Sequence, residues 1–134
     1  MARIRLTKPK PTVAVTWAVE IVLPIPTKST ANLREHHHAK ARRVKMERST
    51  TSDWLRIVHG HPLLATTGWW FDITLTRLGG RGLDDDNLAN AGKAVRDGVA
   101  DWLGIDDGDK RLTWTYTQEP GGPIGVRIRI EGVA

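Results

Sequence analysis

The chain has 134 residues, the length of one ordinary domain, and 40% of them are apolar, enough for a core of its own. It contains no cysteine, which excludes disulfides, thiolate zinc sites and a cysteine nucleophile, and fits a reducing cytoplasm. The formal net charge of +5 is uneven: residues 1–50 carry eleven Lys/Arg against three Glu, a net of +8, so residues 51–134 carry −3. Such a split suits phosphate binding in the first part and cation binding in the second.

Met1–Pro11 reads as a basic, Pro-containing arm with no apolar period, leaving one domain over residues 12–134. Val13 to Leu23 is β-rich and predicts a strand ended by Pro24 and Pro26. This longest apolar stretch, near Val13 to Pro26, is interrupted by Thr16 and Glu20. It is too polar to span a membrane and too far from a basic-apolar-small signal layout to be a secretion signal, so a cytoplasmic protein without a membrane partner is expected. Thr27 to Asn32 reads as a loop. Leu33 to Val58 predicts a polar helix with Ala41, Val44 and Met46 turned inward. A break is expected at 49–53, with Ser52 or Asp53 capping a second piece from Trp54.

Gly68 to Arg77 alternates after the Trp69-Trp70 pair and predicts a strand, followed by a flexible loop with Gly79, Gly80 and Gly82. The clearest helix spans about Asp86 to Leu103. Leu88, Ala91, Gly92, Val95, Val99, Trp102 and Leu103 form one apolar stripe, and Gly104 follows where a C-terminal glycine is expected. Arg111 to Glu119 and Ile124 to Glu131 alternate as strands and predict a closing hairpin around Pro120-Gly121-Gly122-Pro123. The fold class expected is α+β: a single domain whose mixed sheet has about four strands, in the order β-α-β-α-β-β, with helices packed on the sheet. No internal repeat is visible.

Six aspartates bracket the clear helix: Asp84, Asp85 and Asp86 before it, and Asp106, Asp107 and Asp109 after it. Asp is a good helix cap, and acidic residues favour a helix N-terminus, so a single Asp needs no other explanation. Three in a row repel one another unless a cation neutralises them. An EF-hand loop is excluded, because counting from Asp84 places Leu88 fifth and Ala89 sixth, where an oxygen ligand and a glycine are needed. A Ser-His-Asp triad is unsupported, since no Ser sits in a nucleophile-elbow context. In an extended segment Asp84 and Asp86 would point the same way. Asp106 or Asp107 would add a third carboxylate from the loop after the helix. One or two hard divalent ions held so, facing a polyanion, are what a metal-dependent nuclease needs.

Asn90, Lys93 and Asp97 lie on the polar face of the same helix. A solvated face is the plain reading. The functional one is Lys93 as the cation that neutralises the scissile phosphate or the leaving oxygen. Lys28, Arg34, Lys40, Arg42, Arg43, Lys45 and Arg48, in the loop and helix after the first strand, are the candidate DNA-binding cations. His36-His37-His38 would point about 100° apart on a helix, a poor metal site. Trp17, Trp102 and Trp114 fall on apolar faces, while Trp69 and Trp70 cannot both face inward on one strand.

At these residues the chain resembles the RusA-type Holliday-junction resolvases. Their pattern, Asp-x-Asp-Asn-Leu, a helix with Lys, then an Asp pair, reads here as Asp84-Asp85-Asp86-Asn87-Leu88, Lys93 and Asp106-Asp107. An early strand ending in Leu-Pro-x-Pro, here Leu23-Pro24-Ile25-Pro26, also matches. The resemblance covers about Thr12 to Val133, and its specific part runs from Phe71 to Glu119. It implies a homodimeric, Mg2+-dependent endonuclease (Mn2+ being an alternative), without a small-molecule cofactor. Such an enzyme resolves four-way DNA junctions by paired strand cleavage in recombination and repair. Carried over by position, the essential carboxylates fall on Asp84, Asp86 and Asp107, with Asp106 beside them. The family Lys falls on Asn90, and a shift of about one helical turn brings it to Lys93. That departure leaves open an alternative: a non-catalytic junction- or DNA-binding protein that keeps the acidic site.

Overall fold

The computed structural model describes residues 3–5, 15–28, 37–62 and 67–134. In chain order the elements are β1 (Arg3–Arg5), β2 (Trp17–Leu23), α1 (His37–His59), β3 (Trp70–Leu78), α2 (Asp85–Ala91), α3 (Lys93–Leu103), β4 (Leu112–Glu119) and β5 (Gly125–Val133). The strands form one five-stranded mixed sheet in the order β1-β4-β3-β5-β2. Only β3 and β4 run parallel; the other neighbours are antiparallel. The fold is therefore α+β, as expected. No helix among the described residues is long and apolar enough to cross a membrane.

Register explains the two faces of the sheet. Phe71, Ile73 and Leu75 of β3 pair with Leu112, Trp114 and Tyr116 of β4, and Ile73 and Leu75 pair with Ile130 and Ile128 of β5. Partners in register share a face, and all of these side chains are buried in the core with Leu88, Val95, Val99, Trp102 and Leu103 of α2 and α3. The opposite face is polar, with Asp72, Thr74 and Thr76 beside Thr113, Thr115 and Thr117. At one end of the core Trp17 stacks on Trp102, with ring centroids 6.0 Å apart, and Trp102 donates Nε1–H to the Gly60 carbonyl at 2.8 Å. Trp69 packs against the core and Trp70 is exposed, so the Trp pair divides between the two faces.

The sheet departs from the predicted order in two places. Arg3–Arg5, inside the expected arm, pairs with Thr115–Thr117 as a fifth strand at the sheet edge; the rest of residues 1–14 lies outside the described residues. The expected β4–β5 hairpin does not form, because β3 lies between these strands. Parallel β3 and β4 need a crossover, which α2 and α3 supply. With β4 on one flank of β3, β5 takes the other. The link from Pro120 to Ile124 must then span two strand spacings, about 10 Å, and pass over the end of β3. Gly79 marks that passage: its φ is +71°, and a Cβ there would lie 2.8 Å from the carbonyl oxygens of Gly122 and Pro123.

The helices differ from expectation in detail. α1 continues unbroken through 49–53. Ser49 and Thr51 return their hydroxyls to the carbonyls of Met46 and Glu47, at 3.3 and 2.8 Å, which lets polar residues stay helical. The inward face is Glu47, Thr51, Ser52 and Leu55, whereas Ala41 and Met46 are exposed. The cause lies on α3. Gly98 brings the two helices so close that a Cβ there would stand 2.5 Å from the Arg48 carbonyl oxygen and 2.7 Å from Thr51 Cβ, so small residues outrank apolar ones on α1. The helix predicted over 86–103 is two, divided at Gly92, which lies against Tyr116 and Leu75. Its apolar stripe is buried as read, and Gly104 ends α3 in the left-handed conformation.

Candidate functional site

One acidic run precedes the α2–α3 crossover and the other follows it, towards opposite ends of β4: Leu83, next to the first run, bonds Gln118, and the Asp107 carbonyl accepts Trp114 Nε1. Asp84 is extended, with φ −69° and ψ 169°, and its Oδ1 accepts the Asn87 amide at 2.9 Å as the N-cap of α2. Asp85 and Asp86 already belong to the first helical turn. The extended geometry that would aim Asp84 and Asp86 together is therefore not the one adopted, because capping and the helix dipole favour carboxylates here. All three side chains are exposed.

The second run forms a tight loop. Asp106 Oδ2 accepts the Gly108 amide at 3.2 Å. Asp109 accepts the Arg111 amide at 2.9 Å and its Nε at 3.2 Å, and this guanidinium holds the Asp109 carboxyl below the usual carboxylate value. Asp107 points instead at the start of α3. Lys93 Nζ lies 2.8 Å from Asp97 Oδ1 and 3.3 Å from Asp107 Oδ2. Arg96 Nε lies 3.1 Å from the same Asp107 oxygen. Burial pushes the Asp107 carboxyl up, but the bond and charge of Lys93, with the charge of Arg96, outweigh it and hold it below the ordinary value. The hydrogen bond to Asp97 leads the effects that raise Lys93, with Asp107 adding to it.

Arg96 is the residue that sequence reasoning missed. Beyond the ion pair, its Nη2 donates to the Asp107 carbonyl at 3.2 Å and its Nη1 to the Tyr116 hydroxyl at 3.0 Å, and its guanidinium lies 4.7 Å from the centre of the Trp114 ring. The available signal was a lone Arg one turn beyond Lys93, between two acidic runs.

Among the described residues, no group of three or more His, Asp or Glu side chains comes together as metal ligands. Asp84, Asp86, Asp106 and Asp107 suit a hard divalent cation in kind, being carboxylates. Their arrangement is not a cage: Asp84 and Asp106 each commit an oxygen to a backbone amide, and Asp107 faces two cations.

The candidate DNA-binding cations separate into groups. Lys28, Lys40 and Arg43 line a cleft of about 260 Å³ together with Asn90 and Lys93. Glu47 forms part of the wall and pairs with Arg43 at 3.6 Å. Arg42 and Lys45 are exposed on α1 outside this lining. Arg48 Nε and Nη2 donate to Asp101 at 2.6 and 2.8 Å and tie α1 to α3. The Asp101 hydrogen bond raises the already high Arg48 pKa. Arg34 and His36 lie outside the described residues.

No protein-family model matches the chain, and no curated protein does.

Proposed function

We propose that the protein is a metal-dependent, structure-selective endonuclease of the RusA type, a homodimer that resolves four-way DNA junctions in the cytoplasm. The observation that carries the reading is the cleft in which Lys28, Lys40 and Arg43 stand beside Lys93, whose ammonium reaches Asp107. The cleft's cations thus stand with Lys93, which links them to Asp107 and Asp97. Lys28, Lys40 and Arg43 hold the DNA backbone, and Lys93 neutralises charge at the scissile phosphate. Asp84, Asp86 and Asp107, with Asp106 beside them, are the residues that would hold Mg2+ or Mn2+. A divalent cation held there would supply water activation and charge neutralisation at phosphorus.

A second reading is a junction- or DNA-binding protein without catalysis. It is favoured by the ion pairing of Asp107 with both Lys93 and Arg96, which a metal would have to displace. Competition binding of a labelled four-way junction against linear duplex, with and without Mg2+, tests what the two readings share. Both predict tighter binding to the junction than to the duplex. Equal affinity for the two overturns both.

A further inference from the structure

Trp54 of α1 is 46% exposed, and its helical neighbours Ile57 and Val58 are 69% and 53% exposed. The core makes no use of this group, since α1 packs through Glu47, Thr51, Ser52 and Leu55. Large apolar side chains grouped on a surface mark a place of contact. Helical geometry relates the group to the cleft. Trp54 is eleven residues beyond Arg43 and seven beyond Glu47, which turns it only about 20° from either and sets it about 16 and 10 Å further along α1. It therefore continues the stripe of Lys40, Arg43 and Glu47 that lines the cleft. Charge decides what such a surface takes. α1 holds six Lys/Arg against Glu47 and Asp53, a net of +4. All four acidic residues of α1 and α3 are ion-paired: Glu47 with Arg43, Asp53 with Arg56, Asp97 with Lys93 and Asp101 with Arg48. A second copy laid α1 against α1 would set like charges together. A nucleic-acid strand instead brings phosphates for the cations and bases for the indole.

We propose that Trp54, flanked by Ile57 and Val58, is a stacking site for an unpaired nucleobase of the strand whose phosphates lie on Lys40 and Arg43; this rests on the DNA-binding reading of the cleft. Bases within a duplex are stacked on one another, so only an unpaired base offers the indole a free face. Every base has such a face, so the site selects unpaired strand over duplex without selecting sequence. Phosphate contacts alone give no such preference.

The test titrates a labelled single-stranded oligothymidylate and a labelled linear duplex with wild type, Trp54→Leu, Trp54→Phe and Lys40→Gln. Fluorescence anisotropy over a salt series gives affinity and salt slope, and sedimentation gives the mass of each protein. Trp54→Leu keeps an apolar side chain and every charge. It is expected to bind oligothymidylate at least about fivefold more weakly, with duplex affinity and salt slope as in wild type. Trp54→Phe, with a smaller ring face, falls between the two. Lys40→Gln lowers the salt slope on both probes by about 1, which separates the cations from the ring. Wild-type affinity of Trp54→Leu for oligothymidylate overturns the stacking site, as does an equal loss on both probes. A fall in mass with Trp54→Leu also overturns it and makes the patch a contact between copies. If wild type binds the duplex but not oligothymidylate, the site is overturned and the DNA reading stands; if it binds neither, both fall.

Discussion

Replacing Gly98 with Ala should loosen the seam between α1 and α3, and the structure fixes the size of the effect. The new methyl group would stand 2.5 Å from the Arg48 carbonyl oxygen, 2.7 Å from Thr51 Cβ and 3.0 Å from Thr51 Cγ2. None of these is the end of a flexible side chain, so the helices themselves must part. Overpacking of this kind costs about 1–3 kcal/mol, and the contact with a backbone oxygen puts it in the upper part of that range. Ala inside a helix returns about 1 kcal/mol relative to Gly. The net loss is then on the order of 1–2 kcal/mol. For a chain of this size that lowers Tm by about 3–8 °C. Thr51→Ser in the same background restores little, because the nearest atom belongs to the backbone. On the proposed reading, parting the helices also displaces Lys40 and Arg43 from Lys93, and DNA affinity should fall with Tm. Calorimetric melts and DNA titration of the single and double variants check this. A Gly98→Ala protein as stable as wild type would refute the close-approach argument.

Two further outcomes are expected. Asp107 is held below its ordinary 3.8, so its contribution to stability is full above 3.8 and is lost as pH falls through the lower folded value. Lys93 is raised above 10.5, so its contribution is full below 10.5 and is lost as pH rises past the higher folded value. The gap in urea midpoint between wild type and Asp107→Asn should therefore stay level through neutral pH and close at the acid end; a gap that widens on acidification contradicts the ion pair. In DNA binding, Lys28→Gln, Lys40→Gln and Arg43→Gln should each reduce the slope of log affinity against log salt by about 1. Arg48→Gln, whose guanidinium is bound to Asp101, should leave that slope alone and lower Tm instead.

What was legible in the sequence followed from period. The stripe from Leu88 to Leu103 is apolar at helical spacing and is buried as read, with Gly104 as its stop. β3, β4 and β5 alternate, and their inward residues form the core. α1 was misread because its packing surface is Glu47, Thr51 and Ser52, chosen by a glycine on another helix rather than by hydrophobicity. The β4–β5 hairpin was misread because adjacency in sequence says nothing of a strand inserted between the two. At the site, sequence located both acidic runs and Lys93. It could not show that Asp84 spends an oxygen on capping α2, or that Arg96 reaches Asp107, Trp114 and Tyr116 at once. Those contacts exist only once α3 lies on β4.

The most direct measurement is cleavage of a labelled four-way junction beside a linear duplex of the same sequence, in Mg2+ and in EDTA, for wild type and Asp86→Asn. Paired nicks near the branch point, seen only with wild type, Mg2+ and the junction, are the predicted result. Tight junction binding with no cleavage in Mg2+ or Mn2+ would contradict the nuclease reading and leave the protein a binder whose Asp107 stays with Lys93 and Arg96.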